Sequence, residues 1–230
     1  MNNEQIPTPP DVALSACQLQ WSNGRVISLP PVHLARGESL GVMGPSGCGK
    51  STWLRWLLGV KQPYVAVTGD IVVAGKSLTQ QPIEQRGIGL VMQEQALFPH
   101  YDVADNLMFA LAQQRIPRHA QRELIAEKLA SIGLPDYQQR MPNQLSGGER
   151  ARIALLRAVL AKPELILLDE PFNGLDQARR QQICQWTYQF LREQGVAAIV
   201  VSHDENDLAL AHHRLQWPQA EYVQGNEALS

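Results

Sequence analysis

The sequence lacks the features that would place it across a membrane, outside the cell or on nucleic acid. Its 230 residues include only three cysteines, Cys17, Cys48 and Cys184, which form no paired framework and indicate a reducing compartment. The longest apolar runs, 165–168 and 196–201, are far shorter than the ~18 residues that a membrane-spanning helix needs. A net charge of −2 gives no long-range attraction to nucleic acid or anionic lipid. We therefore expect any membrane association to be peripheral.

The chain is long enough for one domain with a sizeable insertion. At about 150 residues per domain, the length amounts to roughly one and a half domains. A hydrophobic fraction of 44% is ordinary for a packed globular protein and excludes wholesale disorder. Residues 1–10 are polar, carry three prolines and lack the basic and apolar regions of a signal peptide, so we expect a disordered lead-in. One folded domain is predicted over 11–230, with a helical subdomain inserted at about 94–150.

Strand and helix patterns alternate along the folded part of the chain. The bare apolar runs named above are typical of strands buried on both faces of a parallel sheet. Further strands are predicted after the Asn23-Gly24 turn and at 14–21, 38–43, 71–73 and 88–92. Helices are predicted from residue 53 onward and at 103–112, 118–132 and 151–160. This alternation indicates an α/β protein.

A glycine-rich loop lies between the predicted strand 38–43 and the helix that follows it. It matches the pattern G-x-x-x-x-G-K-[ST], whose backbone N–H groups cradle phosphate oxygens at a positive helix N-terminus. Lys50 would reach the β- and γ-phosphates, and the Ser51 hydroxyl would bind Mg²⁺. The motif alone predicts binding of a nucleoside triphosphate. Together with the strand and helix patterns, it leads us to expect a P-loop NTPase core with a mixed, largely parallel sheet, an N-terminal antiparallel β region and the inserted helical subdomain. Its residues are Gly44, Pro45, Ser46, Gly47, Cys48, Gly49, Lys50, Ser51 and Thr52.

Two acids follow the apolar run 165–168. Open α/β sheets bind ligands at the carboxyl ends of their strands, which places Asp169 and Glu170 on the side of the phosphate loop. Asp169 would hold the Mg²⁺ shell, directly or through water, and Glu170 would act as general base on the attacking water. A solvated strand end, where acids are common, is the alternative. The presence of the phosphate loop favours the catalytic interpretation.

A second phosphate-seeking helix start is predicted at Ser146. Ser146, Gly147 and Gly148 open a helix with exposed backbone N–H groups at its positive end. Considered alone, these residues are explained just as well by an ordinary capped helix start.

These motifs fall in one order along the chain: the phosphate loop, Gln93, the Ser146 helix start, Asp169-Glu170, Leu175-Asp176 and His203. The ordered set closely resembles the nucleotide-binding subunit of ATP-binding cassette (ABC) transporters of the importer type, over roughly residues 12–210. The resemblance implies ATP and Mg²⁺ as ligands and two such domains paired head to tail. Each ATP is then held between the phosphate loop of one subunit and Ser146, Gly147 and Gly148 of the other.

The resemblance also implies a role for four more side chains. Gln93 would contact Mg²⁺ and water and sense the membrane partner, with a surface glutamine as the alternative. His203 would contact the γ-phosphate and help hold Glu170 and the water, with a structural histidine as the alternative. Asp176 would communicate across the dimer or cap a helix. Trp21 would stack on adenine or serve as a buried strand aromatic.

Glu149 belongs to the expected nucleotide-binding set but departs from the family pattern, in which glutamine is commonest at this position. Its acid would either weaken the nucleotide sandwich or point away from it. Intact Lys50, Glu170 and His203 argue against a catalytically inactive partner subunit.

The importer interpretation rests on what surrounds these motifs. Residues 96–101 resemble the stretch that helps form, in importers, a groove for a short helix of the membrane subunit, with the inner face of the helical subdomain as the alternative. Residues 141–145 lack the acidic motif typical of exporters, and no regulatory domain is expected after His203. The expected partners are an identical or related ATPase subunit, integral membrane permease subunits and a solute-binding protein, with no nucleic acid.

The expected activity is ATP hydrolysis that powers solute uptake through dimer closure, by a cytoplasmic protein peripheral on the inner face of the cell membrane. A soluble ABC-type ATPase acting on DNA or ribosomes, or an export subunit, is the alternative. The compact helical insertion, in place of a long coiled coil, and the single cassette argue against the soluble class.

Overall fold

The computed structural model describes residues 11–92, 97–112 and 114–222. The predicted lead-in and Gln93 lie outside the described residues. The strands are β1 (Val12–Leu14), β2 (Cys17–Trp21), β3 (Arg25–Leu29), β4 (Val32–Leu34), β5 (Ser39–Met43), β6 (Val65–Thr68), β7 (Ile71–Val73), β8 (Lys76–Ser77), β9 (Ile88–Met92), β10 (Leu165–Asp169), β11 (Ala197–Ser202), β12 (His213–Gln216) and β13 (Glu221–Tyr222). The α-helices are α1 (Lys50–Leu58), α2 (Val103–Leu111), α3 (Arg118–Ser131), α4 (Gly147–Leu160) and α5 (Gln177–Gln194).

A five-stranded parallel sheet, in the order β12-β5-β11-β10-β9, positions the site. Asp169 at the end of β10 lies opposite Val201 of β11, and Ser202 at the end of β11 lies opposite Met43 of β5. The carboxyl ends of these three strands therefore meet at one edge of the sheet. The segments that follow them, which carry the phosphate loop, Glu170 and His203, become neighbours.

The central strands of the parallel sheet, β5, β10 and β11, are buried on both faces because most of their positions are apolar. Ile166 and Leu168 of β10 pack with α4 and α5, whereas Leu165 and Leu167 pack on the opposite face with α1. All four are at most 1% exposed. Full burial of one such side chain contributes about 1.5–3 kcal/mol, so β10, which ends at Asp169 and is followed by Glu170, is firmly held.

Antiparallel strands form two separate four-stranded sheets, β4-β1-β7-β8 and β13-β3-β2-β6. The first four strands supply the antiparallel region predicted near the N-terminus, and β13 joins it by pairing Glu221 with Val26. The predicted strand 14–21 is divided, because Leu14 pairs with Ile71 in one sheet and Leu19 pairs with Val67 in the other. The predicted α/β class, with a parallel core sheet and antiparallel strands, is confirmed.

In the stretch of sequence between β9 and β10, helices α2 and α3 pack together with the start of α4. Ile125 and Leu129 of α3 are completely buried against this group. Asp102 caps α2 by accepting a hydrogen bond from the backbone N–H of Asp105 at 2.8 Å. Across the described ranges, every helix is too short or too polar to cross a bilayer.

Candidate functional site

The phosphate loop connects β5 to α1 and is shaped by its glycines and its lysine. Gly47 and Gly49 have φ angles of 74° and 114°, which only glycine adopts without strain. A Cβ built on Gly47 would meet nothing within 4 Å, so this part of the loop faces open space. Lys50 is 5% exposed, and its Nζ donates to the carbonyl oxygens of Gly44 at 2.6 Å and Pro45 at 2.8 Å. The charge of Lys50 is thus held inside the loop.

A cleft of about 260 Å³ opens beside the loop. Trp21 forms one wall, and its ring approaches Gly49 so closely that a Cβ there would lie 2.8 Å from Cη2. The opposite wall is formed by the acids after β10. The residues that line the cleft are Trp21, Arg25, Ser46, Gly47, Gly49, Lys50, Ser51, Thr52, Asp169 and Glu170.

Asp169 and Ser51 both line the cleft, and the Ser51 side chain interacts with the Asp169 carboxylate. Burial raises the pKa of the Asp169 carboxyl, and the neighbouring Glu170 raises it further. The bond from Ser51 and the charges of Lys50 and Arg55 act in the opposite direction. A buried carboxylate beside a hydroxyl is the oxygen donor set that Mg²⁺ prefers. These residues therefore fit a magnesium ion that also binds phosphate.

Glu170 and His203 face each other across the carboxyl ends of β10 and β11. The Nδ1 atom of His203 is 3.0 Å from both carboxylate oxygens of Glu170. Glu170 has a φ of 50°, a conformation that costs energy in a residue with a side chain, and its N–H donates to Val201 O at 3.0 Å. Such strain at a polar strand end is typical of functional sites.

The Ser146 helix start is capped from both sides. The Ser146 hydroxyl accepts from the Glu149 N–H at 3.3 Å, and the Glu149 carboxylate accepts from the Ser146 N–H at 2.7 Å. Tyr137 donates its hydroxyl to the other carboxylate oxygen of Glu149 at 2.7 Å. The bond from Tyr137 and then the backbone bond from Ser146 lower the pKa of Glu149. The Glu149 side chain therefore bends back over its own helix start.

The structure divides the predicted residues into two groups within one chain. Trp21, the phosphate loop, Asp169, Glu170 and His203 surround the cleft or contact its walls. Ser146 and Gly147 are exposed elsewhere, where a Cβ on Gly147 would lie 2.8 Å from Leu175.

Asp176 caps α5, accepting from the Arg179 N–H at 3.1 Å and pairing with its side chain at 3.3 Å. Its side chain has the contacts of a helix cap.

Two residues near the phosphate loop were not predicted from the sequence. The guanidinium carbon of Arg25 lies 4.6 Å from the centroid of the Trp21 ring, and its nitrogens donate to the carbonyls of Gly47, at 3.4 Å, and Cys48. Trp217 donates its indole N–H to the same Cys48 carbonyl at 3.0 Å. Neither residue belongs to a recognisable motif, so no local sequence signal indicated them.

An exposed aromatic surface, Phe98, Tyr101 and Phe109, lies at the end of the helical subdomain. These side chains are 38%, 48% and 61% exposed, and the ring of Phe98 contacts the other two at 5.8 and 5.0 Å between centroids. The buried Asn106 fixes the loop by accepting from the Phe98 N–H at 2.8 Å, and Arg157 lies 4.7 Å from the Phe98 ring centroid. Of the predicted stretch 96–101, residue 96 lies outside the described residues, Leu97 points inward and the rest is exposed.

Comparison with solved structures gives the same fold. The structure of cbiO1 from Clostridium perfringens, described as part of the ABC transporter complex cbiONQ, matches with a TM-score of 0.78. The match covers 91% of this chain and 85% of that chain at 22% sequence identity, so it establishes the fold alone.

Comparison of sequences gives relatives named as import ATP-binding proteins. The spermidine/putrescine import ATP-binding protein PotA of Lawsonia intracellularis (strain PHE/MN1-00) is 42% identical over 176 residues, which are 76% of this chain and 47% of that protein. The Fe(3+) ions import ATP-binding protein FbpC 1 of Rhizobium meliloti (strain 1021) is 36% identical over 194 residues, 84% of this chain and 54% of that protein. The chain spans about half the length of these curated relatives.

A family model described as ABC transporter matches residues 31–173. This stretch is more than half of the chain and contains the phosphate loop, the Ser146 helix start and both acids. Sequence match, fold and site geometry agree, and the chain belongs to the ABC transporter family.

Proposed function

We propose that this chain is the ATP-binding and ATP-hydrolysing subunit of an ABC importer, which powers solute uptake through separate permease subunits as two copies close on ATP. One observation carries the proposal: the phosphate loop, the Ser51–Asp169 pair and the Glu170–His203 pair lie together at one edge of the parallel sheet. This set combines a phosphate cradle, oxygen ligands for a metal and a base with its partner. Hydrolysis of a triphosphate requires these three components.

Binding of ATP would begin with the phosphate loop. The Lys50 ammonium is bonded to two neutral carbonyls, and phosphate oxygens are stronger acceptors because they are charged. The backbone N–H groups at the start of α1 add the positive end of a helix dipole. Trp21 at the cleft wall offers an aromatic surface for adenine. These contacts favour a nucleoside triphosphate over smaller anions.

Hydrolysis would use Glu170 as the general base. Its carboxylate accepts the proton of the water that attacks the γ-phosphate, and His203 holds the carboxylate through Nδ1. Ser51 and Asp169 would hold Mg²⁺, which when bound neutralises charge on the phosphate oxygens. Gln93, outside the described residues, is proposed to join this group at the metal and the water.

A second ATPase subunit would complete the pocket. The Ser146 helix start is exposed and separate from the cleft of its own chain, so it is free to approach the cleft of another subunit. Attraction between this positive helix end and the phosphates would favour the closed dimer. ATP thereby shifts the population toward the closed state, and the permease would follow that movement. Asp176, at the start of α5, is proposed to communicate across the same interface.

The membrane partner would dock on the aromatic surface formed by Phe98, Tyr101 and Phe109. An exposed apolar cluster of this kind is typical of protein–protein contact sites. The names of the relatives, which specify import, support uptake as the direction of transport. A permease and a solute-binding protein are the proposed partners, with the chain peripheral on the inner face of the membrane.

The proposal is tested by measuring ATP binding and phosphate release with the purified chain and MgATP. The expected result is saturable hydrolysis that Lys50→Ala abolishes together with binding, because that variant lacks the charge inside the loop. Lys128→Ala, on the surface of α3, serves as the matched control and should retain both. A wild-type chain that binds no ATP, or a Lys50→Ala variant with unchanged affinity, would contradict the proposal.

A further inference from the structure

Two side chains from distant parts of the chain converge on one carbonyl oxygen of the phosphate loop. Trp217, which follows β12, donates its indole N–H to Cys48 O at 3.0 Å across 169 residues of sequence. Arg25, at the start of β3, donates a guanidinium N–H to the same oxygen and lies over the ring of Trp21. Cys48 O therefore has two side-chain donors from outside the loop.

Trp217 is fixed in place by the parallel sheet. Strand β12 pairs with β5, and directly after this pairing the Trp217 N–H donates to Met43 O at 2.6 Å. The side chain is 4% exposed and packs edge to face on Trp53, with ring centroids 6.0 Å apart. A Cβ on Gly44 would lie 2.6 Å from the Trp217 Cβ, so the first residue of the loop has to be glycine. Trp217 thus approaches the loop from the core.

The bond from Trp217 determines which way the next amide points. A trans peptide is planar, and its C=O and N–H groups point in opposite directions. Because Trp217 and Arg25 both donate to Cys48 O, the N–H of Gly49 is directed away from these two donors. Gly49 itself lines the cleft in which the phosphates would lie.

We propose that Trp217, assisted by Arg25, is a positioning residue that aims the Gly49 N–H at the phosphates of a bound nucleotide. Trp217 lies under the loop and touches no substrate, so it acts only through the loop backbone. The inference rests on the proposed function, because it concerns the phosphate cradle of the same site. Loss of the indole N–H frees the Cys48–Gly49 peptide to rotate and weakens phosphate binding.

The test compares ATP with inorganic tripolyphosphate, which lacks base and ribose, as ligands of the full chain in calorimetry with Mg²⁺. Trp217→Phe keeps an aromatic ring but removes the N–H, and it should raise the Kd of both ligands by about fivefold, as expected for one hydrogen bond. Trp186→Phe, whose ring stacks on Phe190 at 4.9 Å, is the control and should change neither Kd. An effect on ATP but not on tripolyphosphate would overturn the proposal.

The second donor provides a further test. Arg25→Met removes a charge from the cleft as well as a hydrogen bond to Cys48 O. If that charge acted independently of Trp217, the factors by which the two single variants raise the Kd would multiply in the double variant. Because the two donors share one acceptor, we expect the double variant to raise the tripolyphosphate Kd by more than the product of the single factors. A double variant that matches the product would contradict the shared role.

Folding and binding are separated by a third replacement. Benzothienylalanine at position 217 has the shape of tryptophan with sulfur in place of the N–H, so it preserves packing even if phenylalanine leaves a cavity. The protein with this residue should keep the wild-type thermal midpoint. Its binding of tripolyphosphate should be weakened to the same degree as in Trp217→Phe. Wild-type affinity in this protein would refute the inference and leave the proposed function standing. Absence of ATP binding by the wild-type chain would instead refute the proposed function.

Discussion

The Nδ1 atom of His203 lies 3.0 Å from each of the two carboxylate oxygens of Glu170, although 33 residues separate them. The pairing of β10 with β11 brings the two residues together, and the positive φ of Glu170 turns its side chain toward the histidine. A carboxylate bridged in this way keeps one orientation while it accepts a proton. This geometry supports the proposed role of Glu170 as the base and of His203 as its partner.

Glu170→Gln should separate ATP binding from hydrolysis. An amide has nearly the same shape but does not accept a proton, so turnover should fall by ~10²–10⁴-fold while ATP affinity is retained. We expect the variant to accumulate as an ATP-bound dimer on gel filtration with MgATP. Glu164→Gln, just before β10, is the control and should remain fully active. A variant that kept full turnover as a monomer would rule out Glu170 as the base.

His203→Ala should act on the same step as Glu170→Gln. Residues that work as a unit give non-additive losses, so the double variant should be about as slow as Glu170→Gln alone. The measurement is single-turnover hydrolysis with excess enzyme, which removes any contribution from product release. Losses that multiply in the double variant would show that His203 acts at a different step. His213→Ala, on the far edge of the parallel sheet, provides the matched control.

The sequence indicated the phosphate loop and the two acids of the cleft, although not Arg25, because each of these belongs to a local pattern. A glycine-rich turn after a strand and two acids at a strand end are visible within a few positions. The parallel order of β5, β11 and β10 then brings them to one edge. The α/β fold and the family followed from the same motifs.

The residues that escaped sequence analysis depend on pairing between distant segments. Trp217 reaches the phosphate loop only because β12 lies beside β5. Tyr137 meets Glu149 only because the loop before α4 folds back over the helix start. The sequence did not predict the division of the strand 14–21 for a related reason, since apolar residues alternate on both sides of the break. Periodicity cannot show that Leu14 and Leu19 join different sheets.

Trp21→Ala should weaken the binding of ATP without affecting the binding of tripolyphosphate. The Trp21 ring is at the wall of the cleft, where it offers stacking area to a base. Loss of stacking of ~1–3 kcal/mol corresponds to a Kd for ATP raised by about 5- to 150-fold. Calorimetry with both ligands measures this difference. Equal weakening of ATP and tripolyphosphate would place the role of Trp21 in the loop, through its contact with Gly49.

Phe109→Ala should impair assembly with the permease and spare the isolated ATPase. Phe109 is 61% exposed and contacts only the edge of the aromatic surface, so its removal costs little stability. The test is copurification of the chain with the permease subunits proposed as its partners. Tyr64→Ala, at a 49% exposed aromatic residue just before β6 and outside the aromatic surface, is the control. If Phe109→Ala copurifies as well as the wild type, this surface is not the docking site.

Glu149→Gln should change how stability depends on pH. The Glu149 carboxylate has a lowered pKa in the folded chain, first because Tyr137 donates to it and then because the Ser146 N–H does. A lowered pKa means that the carboxylate stabilises the fold above its ordinary value of about 4.3, and that this contribution is lost as pH falls through the lower, folded value. The thermal midpoint of the wild type should therefore exceed that of the variant near pH 7, and the difference should shrink below about pH 4.3.

Tyr137→Phe removes the largest cause of the shift and should give an intermediate pH profile, whereas Glu123→Gln, an exposed position on α3, should follow the wild type. A difference in thermal midpoint between the wild type and Glu149→Gln that stays constant from pH 7 to pH 3 would mean that the carboxylate charge does not hold the Ser146 helix start. Glutamate in place of glutamine at position 149 would then have no electrostatic effect on the cap.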